Sequence, residues 1–369
     1  MPEIWLRYGT TDVALDIRFE NLASQISASF AVMSDEERVA VLGSVPVSDN
    51  MLVLVLSSSK AAALTVDGIV NAAQGKGLTG ITVDVLPAFA GPLRANLSSE
   101  ISINRVDYQS LEERLKKFQS TVIVSQVAYD PLFGFAGAPT TILRNFFTGK
   151  MTEMFRTKRA GKPEPGVENE MFRAAISFSE GIAATSIELV ASRSGIAGMY
   201  VGSVDKAFAK ALSHLRSISV TETDAAKSAI ISASSESGPQ LTLASSLNSL
   251  WNSIHAVREG GSIVLLSEGR EGLGGGALQM FAEGRLKTEQ LAHTEYISGL
   301  EHIVYLQELA QKYELGVVST LPHYYLKKLG FLTFASVKDA LDKLLAKQGK
   351  SHKLLVISDA DISLVRARS

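Results

Sequence analysis

The sequence predicts an α/β protein of two domains, each built on a mainly parallel, doubly wound sheet, with a cleft between them. Short apolar runs recur between turn residues, as in strands that are buried on both faces. Helical patterns lie between these runs, and this alternation is typical of doubly wound α/β layers. The length of 369 residues is too great for one ordinary core and fits two domains.

The apolar runs that we predict as strands share high β-propensity and flanking turn residues. Their length suits strands in the middle of a parallel sheet, where both faces are covered by helices. The predicted strands are 51–56, 81–86, 121–127, 229–232, 263–267, 316–319 and 354–358.

Three helix starts are predicted where a hydroxyl stands three residues before a carboxylate. In this capping pattern the two side chains satisfy backbone N–H groups that the first helical turn leaves free. After two of these starts, at 111–118 and 337–345, apolar residues recur at helical spacing. The three pairs are Ser34 with Glu37, Ser110 with Glu113, and Ser336 with Asp339.

The predicted domains are 1–218 and 219–369. A new α/β unit begins at Asp224, after a helical stretch at 206–218. The segment 159–169 is polar and rich in proline and glycine, which predicts an exposed loop. We place that loop inside the first domain, because the next strand–helix alternation starts only much later.

Composition excludes several classes of function. The net charge of −2 shows no basic surplus for nucleic acid, so we expect no nucleic-acid partner. The absence of cysteine excludes disulfides, thiolate nucleophiles, zinc–thiolate sites and iron–sulfur clusters. The beginning of the chain lacks a signal-peptide pattern, and no apolar run is long enough to span a bilayer. We therefore expect a cytoplasmic protein without a membrane partner.

All six histidines follow residue 213, so the preceding part of the chain cannot perform histidine-based acid–base or metal chemistry. No two of them have the i, i+4 spacing of a helical metal pair, and we predict no metal site. His323 follows the predicted strand 316–319. Open α/β sheets bind ligands at the carboxyl ends of their strands, which makes His323 the best single histidine candidate.

A glycine-rich segment, 268–277, follows the predicted strand 263–267. It has neither the Lys-Ser/Thr ending of a Walker loop nor the G-x-G-x-x-G spacing of a dinucleotide site. One interpretation is an anion site formed by free backbone N–H groups, and the other is a tight strand-to-helix turn. The first interpretation predicts that the ligand contacts Gly272, Gly274, Gly275 and Gly276.

Four cations closely follow a predicted strand or a glycine turn: Lys60, Arg94, Arg144 and Arg270. A guanidinium group binds carboxylate or phosphate through two parallel hydrogen bonds, so these residues are candidates to hold an anionic ligand. The opposing interpretation is that they are ordinary solvated charges.

Three segments resemble one known family. They are KSAIISASSESGP at 227–239, REGGSIVLLSEGREGLGGG at 258–276, and RLKT at 285–288. In these segments the chain resembles the nickel-pincer lactate racemases, which have an R-[DE]-G-x-G-G loop. The resemblance implies two α/β domains with the active site between them. It also implies interconversion of D- and L-lactate by hydride transfer to a nickel cofactor made from nicotinate, which a lysine holds covalently.

The sequence departs from this family at its functional positions. Ala90 corresponds to the proton-transfer histidine, Asp130 to the nickel-binding histidine, and Thr140 to the cofactor lysine. In the second domain, Ser245 and Asn248 correspond to the family's glutamine and lysine. Threonine cannot form the cofactor's link to a lysine nitrogen, and alanine supplies no base. We therefore predict that the nickel-pincer cofactor is not bound and that racemase activity is absent.

The leading hypothesis is a racemase-like protein that binds a small anion in the cleft between the domains. The ligand would be a hydroxy acid, another carboxylate or a phosphate compound. The 272–276 loop and Arg270 would form one wall, and Lys60 and Arg94 would be further partners.

Two other hypotheses stay open. In one, the chain is a different enzyme, in which Asp130 with Glu268 or Glu271 supplies acid–base groups or binds a hard metal such as magnesium. In the other, it is a non-catalytic subunit, either in a homo-oligomer or paired with an active paralogue.

Overall fold

The computed structural model describes residues 3–28, 30–98, 100–106, 110–158, 161–192, 194–233, 241–291 and 293–368. Within them, the strands form two sheets of six and three pairs. The strands are β1 (Glu3–Tyr8), β2 (Thr11–Asp16), β3 (Leu22–Ile26), β4 (Met51–Val55), β5 (Ile81–Val85), β6 (Asn104–Arg105), β7 (Ser120–Gln126), β8 (Ala128–Asp130), β9 (Gly134–Ala136), β10 (Thr185–Ser192), β11 (Gly195–Ser203), β12 (Val220–Thr223), β13 (Ala226–Ser232), β14 (Val257–Leu266), β15 (Glu314–Val318), β16 (Leu332–Phe334), β17 (Leu354–Ile357) and β18 (Leu364–Ala367).

Helices connect most of these strands, as βαβ units require. They are α1 (Asp35–Gly43), α2 (Lys60–Gln74), α3 (Pro87–Arg94), α4 (Leu111–Leu115), α5 (Ala138–Phe146), α6 (Thr148–Lys158), α7 (Glu170–Ser179), α8 (Val204–Ser219), α9 (Leu243–Ser253), α10 (Gly276–Ala282), α11 (Leu300–Leu309), α12 (His323–Lys328) and α13 (Val337–Gln348).

The first sheet has the order β11-β10-β7-β4-β5-β6, and only the β10–β11 pair is antiparallel. The chain enters at β4, runs outward through β5 and β6, and returns to β7 on the other side. Helix α2 covers one face and α5 covers the other. The direction of winding therefore reverses between β4 and β7, and ligands of open α/β sheets bind at the carboxyl ends of such strands.

The second sheet has the order β16-β15-β14-β13-β17-β3, and all its strands are parallel. Helices α9, α10 and α11 cover one face, while α13 and the β1–β2 hairpin cover the other. The predicted α/β class with mainly parallel sheets is confirmed, and each predicted strand lies in one of the two large sheets. The β10–β11 hairpin, which extends the first sheet, was not predicted.

The beginning of the chain packs with the second sheet, although the predicted division 1–218 assigns it to the first domain. Strand β3 pairs with β17, and the apolar side chains of the β1–β2 hairpin pack against Val264 and Leu266 of β14. This pairing joins segments more than three hundred residues apart, so no local pattern reveals it. Residues 161–169 form the predicted loop, and positions 159 and 160 lie outside the described residues.

The three predicted capping pairs are confirmed. Ser34 forms the full reciprocal box with Glu37, while Ser110 Oγ accepts from the N–H of Glu113. Ser336 Oγ accepts from the Asp339 N–H at 3.1 Å. The helix that it starts, α13, packs on the outer face of the second sheet.

We expect Ser336→Ala to lower the free energy of unfolding by about 1 kcal/mol, because the first turn of α13 then loses a hydrogen-bond acceptor. Denaturant unfolding followed by circular dichroism measures the change. Ser351→Ala, in an exposed turn, is the control and should have no effect. Equal losses in the two variants would contradict the capping role.

Candidate functional site

Asp130 ends strand β8, and its carboxylate is fully engaged inside the protein. Oδ1 accepts hydrogen bonds from the N–H groups of Leu132 and Phe133, both at 2.8 Å. Arg144, from helix α5, approaches Oδ2 at 2.9 Å and Oδ1 at 3.2 Å. Asp130 is only 5% exposed. It therefore pairs with a neighbouring cation and does not present a carboxylate to solvent.

Arg144 also links helix α5, which covers the first sheet, to helix α11, which covers the second sheet. Its Nη2 lies 3.5 Å from Oε1 of Glu301, on helix α11. Glu301 is 2% exposed and accepts a hydrogen bond from the hydroxyl of Tyr296 at 3.1 Å. We call Asp130, Arg144, Tyr296 and Glu301 the Arg144 cluster. It places one cation between two buried carboxylates from different parts of the chain.

The charges of the Arg144 cluster stabilise one another. Burial opposes the charge on Arg144, but the carboxylates of Asp130 and Glu301 outweigh it, and the net effect raises the pKa of the guanidinium. Burial raises the pKa of Tyr296 well above its ordinary value, so this hydroxyl keeps its proton and donates to Glu301. The cluster is thus a fixed ion-pair network at neutral pH.

Aromatic groups surround this network. The indole N–H of Trp251 donates to Nδ1 of His302 at 3.0 Å, and the Tyr305 hydroxyl donates to the Pro131 carbonyl at 3.3 Å. Burial lowers the pKa of His302, which therefore stays neutral with its proton on Nε2. A continuous apolar core around Trp251 includes Phe133 as well as α9 and α11. At Asp130, the predicted cleft is packed with side chains.

Glu268 lies at the carboxyl end of β14 and pairs with Arg270 of the glycine loop. Its Oε1 accepts from Arg270 Nη2 at 2.7 Å and from Nε at 3.1 Å. Its other oxygen faces the β1–β2 turn, where a Cβ at Gly9 would lie 1.8 Å from Oε2. Gly9 has φ of +60°, so both its conformation and the lack of space require glycine. The contact between Gly9 and Glu268 therefore joins the hairpin to the second sheet.

The glycine loop packs against the start of helix α9. The N–H of Glu271 donates to the Leu241 carbonyl at 2.9 Å, and the N–H of Leu243 donates to the Gly272 carbonyl at 3.1 Å. A Cβ at Gly274, where φ is +63°, would lie 2.6 Å from Thr242. These contacts favour the tight-turn interpretation. Anion binding by this loop stays a prediction, and the family-like positions 234–239 lie outside the described residues.

The other predicted ligand-binding cations have separate environments. Lys60 is the exposed first residue of α2. Arg94, near the end of α3, donates to the Ile101 carbonyl and so holds a neighbouring turn. His323 is the exposed first residue of α12, and Glu271 is also exposed. The described contacts of these residues do not bring them together.

The positions that we predicted to correspond to the family's functional residues have structural contacts in the fold. Ala90 is buried in α3, and Thr140 Oγ1 accepts from the Gly137 N–H at 3.1 Å. Ser245 Oγ donates to the Thr242 carbonyl at 2.8 Å, and Asn248 is half-buried on the same helix. No described residue contacts both Asp130 and Glu268, so these two carboxylates have separate surroundings.

Sequence reasoning missed a buried carboxyl group, Glu188, in the middle of β10. Its Oε1 accepts from the Ala138 N–H at 2.9 Å, where helix α5 begins. Its Oε2 is buried and has no hydrogen-bond partner among the described groups. Burial raises the pKa of Glu188 to about 8. The signal was a lone glutamate inside an apolar strand pattern, TSIELVAS at 185–192.

These features define a class: proteins with two large, mainly parallel α/β sheets whose units meet at a buried contact. Comparison with solved structures narrows the class. The chain is similar to the lactate racemase apoprotein from Thermoanaerobacterium thermosaccharolyticum, with a TM-score of 0.76, 16% identity, and coverage of 99% of this chain and 100% of that one. The chain has a lactate-racemase-like fold.

A second similar structure is a crystal structure of a protein from Thermotoga maritima. Its TM-score is 0.65 at 10% identity, and the match covers 91% of this chain and 99% of that one. No family model and no curated protein sequence matches the chain. Within the described residues, no helix combines the length and apolar character needed to cross a bilayer.

The described residues do not fit the nickel group that the sequence resemblance implies. Both oxygens of Asp130 are bound to Arg144 or to backbone N–H groups, and Arg144 brings a positive charge to that position. Thr140 is bound to Gly137 and has no nitrogen for the cofactor link. In the part of the chain that the structure describes, no three His, Cys, Asp or Glu residues are placed to hold a metal ion.

Proposed function

We propose that this chain is a binding protein with the lactate-racemase fold, which does not perform the racemase reaction. The Arg144 cluster supports this proposal. Asp130, which we align with the family's metal ligand, forms one half of an internal ion pair with Arg144. A metal cation would have to displace Arg144 from a buried network, at the expense of leaving the guanidinium unpaired.

We propose a small hydroxy acid or related carboxylate as the ligand, at the carboxyl ends of β4 and β7. Helix α2 begins there with Lys60, and a helix N-terminus with a nearby cation favours an anion. Gln126 ends the neighbouring strand β7, and its buried Oε1 has no partner among the described groups. This acceptor is the observation that carries the proposal, because a hydroxyl on the ligand could donate to it.

Two further features support this location. Ser57 Oγ donates to Ser59 Oγ at 3.2 Å, so hydroxyl groups line the turn between β4 and α2. The winding of the first sheet reverses between β4 and β7, and such crevices hold ligands in other open α/β sheets. Phosphate compounds share the required negative charge and belong in the same screen.

We expect L-lactate, D-lactate or a related acid to bind the purified chain, and Lys60→Ala to weaken binding about tenfold by removing the nearest cation. Isothermal titration calorimetry measures both affinities. Lys76→Ala is the matched control, since this exposed lysine follows the other end of α2. If no hydroxy acid, keto acid or phosphate compound binds, or if the two variants bind equally, the proposal fails.

The same preparation tests the loss of racemase chemistry. We propose that protein made in cells that produce the nickel-pincer cofactor retains no stoichiometric nickel and does not interconvert the lactate enantiomers. Metal analysis and chiral chromatography measure these two outcomes. Stoichiometric nickel in the purified protein would overturn this part of the proposal.

A non-catalytic subunit is the second candidate. The apolar core that contains Trp251 and Phe133 fills the region around the Arg144 cluster, which favours a structural role over an open active site. Light scattering and mixing with an active lactate racemase test it: a monomer that binds no racemase would rule it out. The carboxylate-enzyme hypothesis has less support, because the described contacts of Asp130 and Glu268 have no residue in common.

A further inference from the structure

A polar groove lies where strands of the second sheet begin, at the edge opposite to their carboxyl ends. It has a volume of about 490 Å³ and is bounded by β3, β12 and the beginnings of β13 and β17. This place is separate from the crevice proposed above, which belongs to the first sheet. Binding in this groove is therefore independent of the proposed function.

Positive charge is concentrated in this groove. Four cations line it, Lys227, Arg258, Lys353 and Arg368, against only two carboxylates. With His352 neutral the lining has a net charge of +2, whereas the whole chain has a net charge of −2. Such a local excess on an acidic protein concentrates small anions from solution.

The cations are only partly satisfied by the protein itself. Arg258 Nη2 donates to the Ala225 carbonyl at 3.2 Å, and Arg368 Nη1 lies 3.6 Å from the Asp224 carboxylate. The ammonium groups of Lys227 and Lys353 form no ion pair or hydrogen bond with any residue that the structure describes. The exposed side chains of Lys227 and Lys353 therefore offer donors to an anion on the lining of one groove.

His352 gives the groove a fixed polar wall. Its Nε2 shares a hydrogen bond with the fully buried hydroxyl of Ser228, and Asn21 Nδ2 donates to its carbonyl at 2.9 Å. The imidazole is therefore held in place. Burial, and next the charge of Lys227, lower the pKa of His352, which means that the ring senses the positive field of the groove.

We propose that this groove is a binding site for a small molecule that carries phosphate groups. Two free lysine ammonium groups and two arginines can donate to several phosphate oxygens at once, and such charge-assisted hydrogen bonds are the stronger kind. The volume suits a small metabolite. Glu222 and Asp224 on the rim repel a continuous polyanion, so the site favours a compact ligand.

Pyrophosphate is the probe, used with the full chain in calorimetric titrations. We expect saturable binding that weakens as salt is raised, because ionic strength screens the charges. The double variant Lys227→Ala/Lys353→Ala should bind about tenfold more weakly or not at all, since it removes both free ammonium groups. The control Lys327→Ala/Lys338→Ala, which removes two exposed lysines outside the groove, should bind as the wild type does.

Nuclear magnetic resonance of the His352 ring locates the binding. Lys227→Ala alone should raise the pKa of His352 without any ligand, because it removes the neighbouring positive charge. Pyrophosphate should raise that pKa in the wild type and much less in the double variant. His352→Gln identifies the signal among the six histidines.

Three outcomes would overturn the site. They are no saturable binding of pyrophosphate to the wild type, equal affinity in the two double variants, or binding that leaves the His352 signal unchanged. Thermal melting of all variants verifies that they are folded. Because the substituted lysines are exposed, their removal should leave the melting temperature near that of the wild type.

Discussion

Arg144→Ala should lower the free energy of unfolding by about 3–5 kcal/mol, the range found when one partner of a buried ion pair is removed. The side chain neutralises Asp130, at 2.9 Å, and Glu301, at 3.5 Å. Both carboxylates are buried, so the variant leaves two negative charges close together without a counter-ion. Denaturant unfolding at neutral pH measures the loss.

The control is Arg285→Ala, which removes a surface arginine paired with Glu283 and should cost less than about 1 kcal/mol. A double-mutant cycle between Arg144→Ala and Asp130→Ala then isolates the pair itself. We expect the double variant to be less destabilised than the sum of the single variants. Additive losses would show that Arg144 and Asp130 are not coupled, and equal losses at Arg144 and Arg285 would contradict the buried-pair argument.

Glu188→Gln should change the pH dependence of stability, because burial raises the pKa of Glu188 from 4.5 to about 8. The folded protein keeps this proton up to about pH 8, whereas the unfolded chain releases it above pH 4.5. The stability contributed by the protonated carboxyl is therefore fully present below pH 4.5 and is lost as pH rises to about 8. Glutamine resembles the neutral acid and does not have this loss.

Glu188→Gln and the wild type should have similar free energies of unfolding near pH 4.5. Above that pH, the difference in favour of the variant should grow by about 1.4 kcal/mol for each pH unit. The gain should approach about 4 kcal/mol at pH 8. Urea unfolding at several pH values gives the curve. Glu180→Gln, at an exposed position after α7, is the control, and its free energy of unfolding should change with pH as that of the wild type does. A constant difference between Glu188→Gln and the wild type across this range would contradict the burial argument.

Local patterns were sufficient for the seven predicted strands of the two large sheets and for three helix starts. The run MLVLVL became β4, a strand buried along its whole length, because only the centre of a parallel sheet accommodates such a segment. The Ser34, Ser110 and Ser336 caps were also predictable, since a cap acts within one turn of its own helix. The β1–β2 hairpin and β3 were not, because their partners lie in the second half of the chain.

In the candidate site, too, local patterns identified residues, whereas the roles of those residues depend on distant partners. Asp130 was a sequence candidate because it aligns with the nickel-binding histidine of the family that the chain resembles, and because its carboxylate could supply an acid–base group. Its role depends on Arg144, one helix further along, and on Glu301, far away in the chain. Likewise, Arg270 was predicted to hold a ligand and Glu268 to supply an acid–base group or bind a metal, but in the fold they pair with each other, and Glu268 also lies against the hairpin turn at Gly9.

The sequence by itself determined the α/β class, the positions of the main strands, and the absence of histidine and cysteine from the first half. These properties depend on residue type and on short-range periodicity, and both are visible in the sequence. Only the tertiary structure decided that Asp130 is bound to Arg144, that Glu188 is buried without a full set of partners, and that Lys227 and Lys353 share a groove. The physical reason is that charges and polar groups acquire their properties from neighbours, and folding brings those neighbours from distant parts of the chain.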